Sequence, residues 1–243
     1  MVKKENIRGA FGIFCLTSAL CLAATPDFGL DGLKDLDIQQ RRQLAHGEIV
    51  FTFTNLTTQE YSGLIEATVI FNQTPEQTWN LLYHTEDQVK YLKELEEAKV
   101  IVRNPLHDTI EFKVRFAFLT FICRVNLTFD KAGLNFFWSL DPKYNNDFID
   151  LHGFWRFYPY GQDKTLARYG CAVSLKNIPA FIEGMLKKGV IARSLVSIKK
   201  YVDSGGKDDL LDSQITSGKA GGLYLLLLRH ELFMMPRMQL LGL

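Results

Sequence analysis

Residues 147–202 place the strongest constraint on what this chain can fold into. Apolar and polar residues alternate over 148–158 and again over 165–175, and Ile178 and Pro179 then lead into a long amphipathic stretch. Alternation with a period of two is typical of half-buried β-strands, whereas apolar residues three and four apart are typical of a surface helix. Two antiparallel strands followed by a helix that lies across one face of the sheet predict an internal cavity.

The preceding residues predict further strands and two small helices. Segments 48–56 and 62–71 are rich in Phe, Thr, Val and Ile and form a predicted hairpin. Thr74 can cap a helix in which Pro75 takes the first position and Gln77 completes a capping box. The other predicted elements are a second short helical segment at 88–95, strands at 98–103, 109–118, 120–129 and 134–140, and a long helix from about 179 to 203.

The composition fits a folded domain with a large core. The chain has 243 residues, of which 47% are hydrophobic, and 18 residues are Phe. This length suits one large domain or two small ones. The formal net charge of +1 argues against a nucleic-acid-binding protein that depends on phosphate contacts.

The first 24 residues have the layout of a secretory signal peptide. Three basic residues precede an apolar run over 10–23, and Ala23 and Ala24 are small residues of the kind found before a cleavage site. The run is short for a membrane span, and an uncleaved N-terminal anchor is the alternative. We therefore expect a periplasmic or secreted protein.

Cleavage would leave two cysteines, Cys123 and Cys171. Both lie on apolar faces of predicted strands, where a free Cys behaves as a small buried hydrophobe. In an oxidising compartment the two could instead form a disulfide. The sequence leaves both alternatives open.

Several motifs resemble the START-like superfamily and, within it, the polyketide cyclase and coenzyme Q-binding group. Gly153-Phe154-Trp155-Arg156 and Arg168-Tyr169 resemble the last two strands of that family, and Ile178-Pro179 resembles the start of its last helix. The strand at 65–71 and the helix start at 74–79 resemble its first elements. The resemblance covers about 47–205.

The resemblance implies an α+β helix-grip fold. In this fold a curved antiparallel sheet wraps around a long C-terminal helix, and two small helices follow an early strand. The chain then divides into a signal peptide at 1–24, a linker at 25–46 with a short helical pattern at 32–43, a domain at 47–205 and a tail at 206–243 that is apolar at 223–235.

The resemblance also implies that the domain binds a hydrophobic small molecule or lipid in its cavity. Some members of the family do chemistry, but our leading hypothesis for this domain is binding without chemistry and without a cofactor. The candidate ligand-binding residues lie on faces expected to look toward the helix, or on the apolar stripe of the helix itself. They are Trp79, Phe112, Phe121, Trp138, Trp155, Tyr169, Ile182 and Met185. The competing interpretation of each is an ordinary core residue.

Two other functions stay open at this point. A cyclase- or aromatase-type enzyme would use Asp150, His152 and Arg156, which share one face of a predicted strand. Trp155 and Phe157 lie on the opposite face and are better cavity liners, so the alternation predicts His152 and Arg156 in solvent. The third function is an interaction module whose cavity is filled by its own side chains. No His or Cys spacing in the sequence is typical of a metal site.

Two features suggest contact with a membrane surface. The long helix has a basic face, which is either an ordinary solvated surface or a site for anionic lipid headgroups; its members are Lys187, Lys188, Arg193, Lys199 and Lys200. The apolar stretch at 223–235 is too short to span a bilayer. It is an interfacial helix, a flap that docks on the domain, or an extension without a role.

Overall fold

An antiparallel β-sheet organises the domain. The computed structural model describes residues 26–54, 64–116, 119–176 and 180–207, with no side chains described at 53–54 and 180–188. In these residues the sheet has eight strands in the order β1-β2-β8-β7-β6-β5-β4-β3. The strands are β1 Val50–Thr54, β2 Leu64–Phe71, β3 Leu95–Asn104, β4 His107–Phe116, β5 Leu119–Asp130, β6 Asn135–Leu140, β7 Phe148–Tyr160 and β8 Lys164–Leu175. The pairing of β2 with β8 joins the early hairpin to the closing strands.

The helices lie before, within and after this run of strands. They are α1 Ile38–Ala45, α2 Pro75–Tyr83, a 3₁₀ helix Thr85–Lys90 and α3 Ala180–Asp203. The predicted capping box at the start of α2 is confirmed, because the Gln77 amide donates to Thr74 Oγ1 at 3.3 Å and the Thr74 amide donates to Gln77 Oε1 at 3.0 Å. None of the helices in the described residues is both long and apolar enough to cross a membrane.

The inner face of the sheet packs against α3. Alternate residues of β2 and β7, such as Val69, Trp155 and Phe157, are buried in one core with Leu195 and Val202 of α3. Successive side chains of a strand point to opposite faces, so each strand contributes every second residue to this core. The sheet wrapped around a closing helix is the helix-grip architecture, and the predicted α+β fold class is confirmed.

The outer face of the sheet is covered by residues 26–46, the segment interpreted as a linker. Leu36 and Leu44 from this segment form a second apolar cluster with Ile70 of β2 and Leu166 of β8, which point away from α3. The helix in the segment is α1, a few residues later than the pattern at 32–43 suggested. The segment packs because β2 and β8 have apolar residues on both faces.

Arg168 fixes this outer cover to the sheet. Its side chain is 6% exposed, and its guanidinium lies 3.9 Å from the centroid of the Phe28 ring. It also donates from Nη1 to the Gly32 carbonyl at 3.2 Å. Gly32 has φ +74°, and a Cβ at this position would overlap Leu166 and Tyr158. A buried guanidinium needs such partners, because an unpaired buried charge is strongly destabilising.

Phe28→Ala should lower the free energy of unfolding by about 3–4 kcal/mol, because it removes a buried aromatic ring and uncovers Arg168. Phe28 is 3% exposed. Leu30→Ala is the matched control, since Leu30 is 103% exposed and its removal should change stability by less than about 0.5 kcal/mol. Chemical denaturation measures both. Equal stabilities of the two variants would show that residues 26–46 do not cover the sheet in solution.

Candidate ligand-binding cavity

A cavity of about 230 Å³ lies between the inner face of the sheet and α3. Its sheet wall is built from strands β4 to β8: Phe112, Val114, Phe116, Cys123, Val125, Leu127, Phe136, Trp138, Phe148, Leu151, Trp155, Tyr169, Cys171, Val173 and Leu175. The opposite wall, called the helical wall, comes from α2, the 3₁₀ helix, the two residues after it, the start of β3 and α3: Leu82, Thr85, Gln88, Tyr91, Leu92, Leu95, Val190, Ile191, Ser194 and Ile198.

Backbone details of β7 shape the sheet wall. Leu151 and Trp155 follow the inward alternation, and a register shift between Phe148 and Asp150 turns Phe148 inward as well. Residue 153 has to be a glycine, since a Cβ at this position would lie 2.2 Å from Cζ2 of Trp138. The missing side chain therefore lets the Trp138 ring lie against β7.

Ion pairs hold the helical wall in place. Arg103 of β3 donates to both carboxylate oxygens of Glu86 in the 3₁₀ helix, at 2.8 and 2.6 Å, and to Asp108 of β4 at 3.2 Å. Arg193 of α3 donates to Glu94 at 3.1 Å. The 3₁₀ helix is thus joined to the β3–β4 hairpin, and the segment after it is joined to α3.

Tyr91 is a deeply buried polar side chain of the cavity wall. It is 2% exposed, and its ring stacks on Tyr201 with 4.1 Å between centroids. Its hydroxyl has no hydrogen-bond partner within the described residues. Burial raises the pKa of Tyr91 far above its usual value, so the hydroxyl keeps its proton and remains a donor.

The remaining polar groups give the cavity little acid–base capacity. Cys123 and Cys171 are buried, and no disulfide joins them. Burial raises the pKa of Cys123 to about 12 and that of Tyr169 well above its usual value, which keeps both protonated. No charged side chain lines the cavity in the described part of the chain, and no group of His, Cys, Asp and Glu there could hold a metal ion.

The structure brings four of the predicted site residues together at the cavity. Phe112, Trp138, Trp155 and Tyr169 line it, and the Tyr169 ring lies 4.7 Å from Trp155 and 5.8 Å from Trp138 between centroids. Their role as ligand contacts stays a prediction.

The structure does not place the other four predicted residues at the cavity wall. Phe121 and Trp79 are buried in the inner core, where the Phe121 ring lies 5.8 Å from the Phe148 ring and the Trp79 ring lies 4.3 Å from the Phe136 ring. The side chains of Ile182 and Met185 lie outside the described residues, although both positions belong to α3.

Sequence reasoning missed several wall residues. Phe148 was missed because the register shift between Phe148 and Asp150 breaks the simple alternation there. Leu151 follows the alternation and was left out because only aromatic residues of the strands were selected. Tyr91 was missed because its segment was interpreted only as a short helical turn. The apolar spacing of Tyr91, Leu92 and Leu95 was the available signal that this turn has a buried side.

The candidate catalytic residues lie on the opposite side of the sheet. His152 Nδ1 lies 2.9 Å from Asp150 Oδ2 on the outer face. Arg156 donates to Asn135 Oδ1 at 3.0 Å and to the Pro26 carbonyl at 3.1 Å, within the outer cover. None of the three lines the cavity, which agrees with the outward orientation that the alternation predicts for His152 and Arg156.

Solved structures share this arrangement. The Zhui aromatase/cyclase from Streptomyces sp. R1128 superposes with a TM-score of 0.52 at 12% identity, over 59% of this chain and 93% of that one. A START superfamily protein from Mycobacterium smegmatis gives 0.50 at 15% identity, over 58% and 97%. A STAR-related lipid transfer protein from Xanthomonas axonopodis gives 0.52 at 10% identity, over 63% and 93%. The chain has the START-like fold.

The START-like resemblance drawn from the sequence motifs is confirmed at the level of the fold. Sequence comparison adds nothing to it, since no family model and no curated protein matches the chain. Because identities this low establish a shared fold and not a shared ligand, the function of this START-like domain has to be argued from its own cavity.

The Asp150–His152 pair predicts a measurable pH dependence. The hydrogen bond that the His152 ring donates to the Asp150 carboxylate raises the pKa of His152 above its usual 6.5, so Asp150→Asn should lower that pKa in an NMR titration. Because the folded pKa is the higher one, the pair stabilises the protein fully below about pH 6.5 and loses this effect as the pH rises through the folded pKa. The stability difference between the two proteins should stay below about 1 kcal/mol, since the pair is partly exposed. An unchanged His152 pKa in the variant would contradict the pairing.

Proposed function

We propose that this domain binds a hydrophobic small molecule or lipid in its cavity and shields it from water, without chemistry. The observation that carries the proposal is the cavity of about 230 Å³ with its nearly continuous apolar and aromatic wall. Protein interiors contain few voids larger than a water molecule. Ligand pockets are typically lined by hydrophobic and aromatic side chains with a few polar groups, as this cavity is, and that composition favours a cavity that is kept for a ligand.

The chemistry of the wall favours binding over catalysis. A cyclase-type reaction needs a proton acceptor or donor of suitable pKa beside the substrate. The described wall offers protonated thiols and phenols, and the Asp150–His152 pair is separated from the cavity by the sheet itself. The third alternative, a cavity filled by its own side chains, is disfavoured by the open volume. The START-like neighbours include both an aromatase/cyclase and a lipid transfer protein, so the fold alone does not choose.

Export remains a separate part of the proposal. Its support is the signal-like pattern of residues 1–24, which lie outside the described residues. We expect the protein in the periplasmic or extracellular fraction, with an N-terminus near Thr25 after cleavage. Cell fractionation and N-terminal sequencing of the purified protein test this. An intact N-terminus in the cytosolic fraction would contradict it.

Peripheral membrane contact through α3 has less support. Three residues of the basic face have described side chains. Arg193 pairs with Glu94 and Lys199 pairs with Asp203, so these two cations are already engaged within the domain, and Lys200 is exposed. The apolar stretch at 223–235 and the side chains of Lys187 and Lys188 lie outside the described residues, so membrane contact stays a prediction.

A blocked cavity should bind an apolar probe more weakly. Val190→Trp places a large ring at a cavity-lining position of α3, and we expect it to weaken binding of the fluorescent probe N-phenyl-1-naphthylamine at least tenfold. The matched control is Val196→Trp on the same helix, because Val196 is 47% exposed and does not line the cavity. Fluorescence titration measures all three proteins, and circular dichroism verifies that both variants are folded.

Two results would contradict the proposal. The first is no binding of the probe by the unmodified protein after ligand removal in organic solvent and refolding. The second is equal binding by the Val190→Trp and Val196→Trp variants, which would place the probe elsewhere. Val173→Phe narrows the same cavity from β8 and should reproduce the effect of Val190→Trp.

A further inference from the structure

Two pairs of residues lie back to back where β7 and β8 meet. On the outer face, Arg156 and Arg168 are register partners, and both donate hydrogen bonds to backbone carbonyls of the outer cover at 26–46. On the inner face, Trp155 and Tyr169 are register partners, and both line the cavity. Each residue that anchors the outer cover is therefore the sequence neighbour of a ring in the cavity wall.

The sheet is thin at this point because each of the two strands has a glycine here. A Cβ at Gly170 would lie 2.3 Å from Cε1 of Phe154, so the Phe154 ring lies directly against the outer face of β8. Gly153 in the same way lets the Trp138 ring lie against the inner face of β7, and a Cβ at Gly153 would lie 2.3 Å from the Gly170 carbonyl oxygen. An aromatic ring thus packs on the backbone from each side of the same small area. Glycine in a strand often marks such a close approach and weakens the strand.

Phe28 of the outer cover completes the outer side of this contact. Its ring centroid lies 5.7 Å from that of Phe154 and 3.9 Å from Cζ of Arg168. Phe28 and Phe154 are 3% and 6% exposed, so the packing between them is buried. Because glycine gives a strand more conformational freedom and no side chain to pack, the backbone here depends on its neighbours for its position. The outer cover therefore supports, from behind, the part of the sheet that carries Trp155 and Tyr169.

We propose that Phe28 is a positioning residue for the cavity, and that a docked outer cover and an occupied cavity stabilise each other. This inference rests on the proposed function and adds a regulation of the same site. The docked outer cover holds Trp155 and Tyr169 in the arrangement that contacts a ligand. When the outer cover leaves the sheet, β7 and β8 lose that support and the ligand is bound more weakly. Because coupling between two sites is reciprocal, a ligand in the cavity also holds the outer cover on the sheet.

Phe28→Ala tests the coupling through the affinity for N-phenyl-1-naphthylamine. We expect the variant to bind this probe at least about fivefold more weakly, which is the lower end of the usual coupling between two sites. Leu44→Ala is the matched control. Leu44 is also buried in the outer cover, but it packs against Ile70 and Leu166, whose sequence neighbours are not among the described residues that line the cavity. The affinity of this control should change by less than about twofold, because sites without shared partners act independently.

Hydrogen exchange of the unmodified protein measures the reciprocal effect and does not depend on the folding of a variant. The reporter is the Lys34 amide, which donates to the Phe28 carbonyl at 3.1 Å within the outer cover. Saturation with the probe should slow exchange of this amide by at least the factor by which Phe28→Ala weakens binding. The Gly133 amide, which donates to Asp130 Oδ1 at 3.0 Å in the turn between β5 and β6, is the control and should exchange at an unchanged rate. An outer cover with a purely structural role would leave both rates unchanged.

The possible outcomes separate the two proposals. If the unmodified protein does not bind the probe, the proposed function is wrong and the coupling is wrong with it. If the protein binds the probe but Phe28→Ala and Leu44→Ala have the same affinity, the cavity is a binding site and Phe28 does not position its wall. If Phe28→Ala does not fold, the exchange of the Lys34 amide decides: slower exchange with the probe supports the coupling, and an unchanged rate overturns it.

Discussion

The sheet has apolar residues on both faces where β2, β7 and β8 meet, and the rest of the fold depends on covering the two faces. In β8, Leu166 and Ala167 are adjacent, both fully buried, and point to opposite sides. Antiparallel sheets often leave one face in water, but a sheet with two apolar faces needs a layer on each. Helix α3 covers the inner face, and residues 26–46 cover the outer one. The Arg168 contact with Phe28 joins the outer layer to the same strand whose other face meets α3.

The two layers pack against the sheet differently. The outer layer serves the stability of the fold, and the inner layer forms the proposed binding site. The outer layer fills its space, with Gly32 packed so closely that a single added carbon would overlap its neighbours. The inner layer leaves a cavity, although the sheet wall there has ample large side chains with which to fill it. Because residue 153 is a glycine, the Trp138 ring can lie directly against β7. The packing that would stabilise an ordinary core is thus absent where a ligand would bind.

Alternation and helix signals were sufficient to predict the element order and the inner faces of β4, β7 and β8, and the resemblance to the START-like superfamily supplied the fold class. They placed Phe112, Trp138, Trp155 and Tyr169 at the cavity and turned His152 away from it, because period-2 patterns depend only on local geometry. They did not predict the role of residues 26–46, since apolar residues such as Phe28 and Leu36 are widely spaced there and gain a partner only from the outer face of a distant sheet. They also missed Phe148, whose orientation depends on a register shift, and Tyr91, whose ring stacks on Tyr201 of the distant helix α3. Whether an inward-facing residue such as Phe121 reaches the cavity depends on neighbours from other strands, and no local pattern contains that information.

The central claim is that the cavity is a binding site and not a packing defect. Native mass spectrometry of the full-length protein, purified gently from the cells that produce it, tests this claim most directly. We predict a fraction of the protein with a bound small molecule that is lost on denaturation, and loss of that molecule in the Val190→Trp variant but not in Val196→Trp. A protein that is always empty in this measurement, and that binds no apolar dye, would contradict the account.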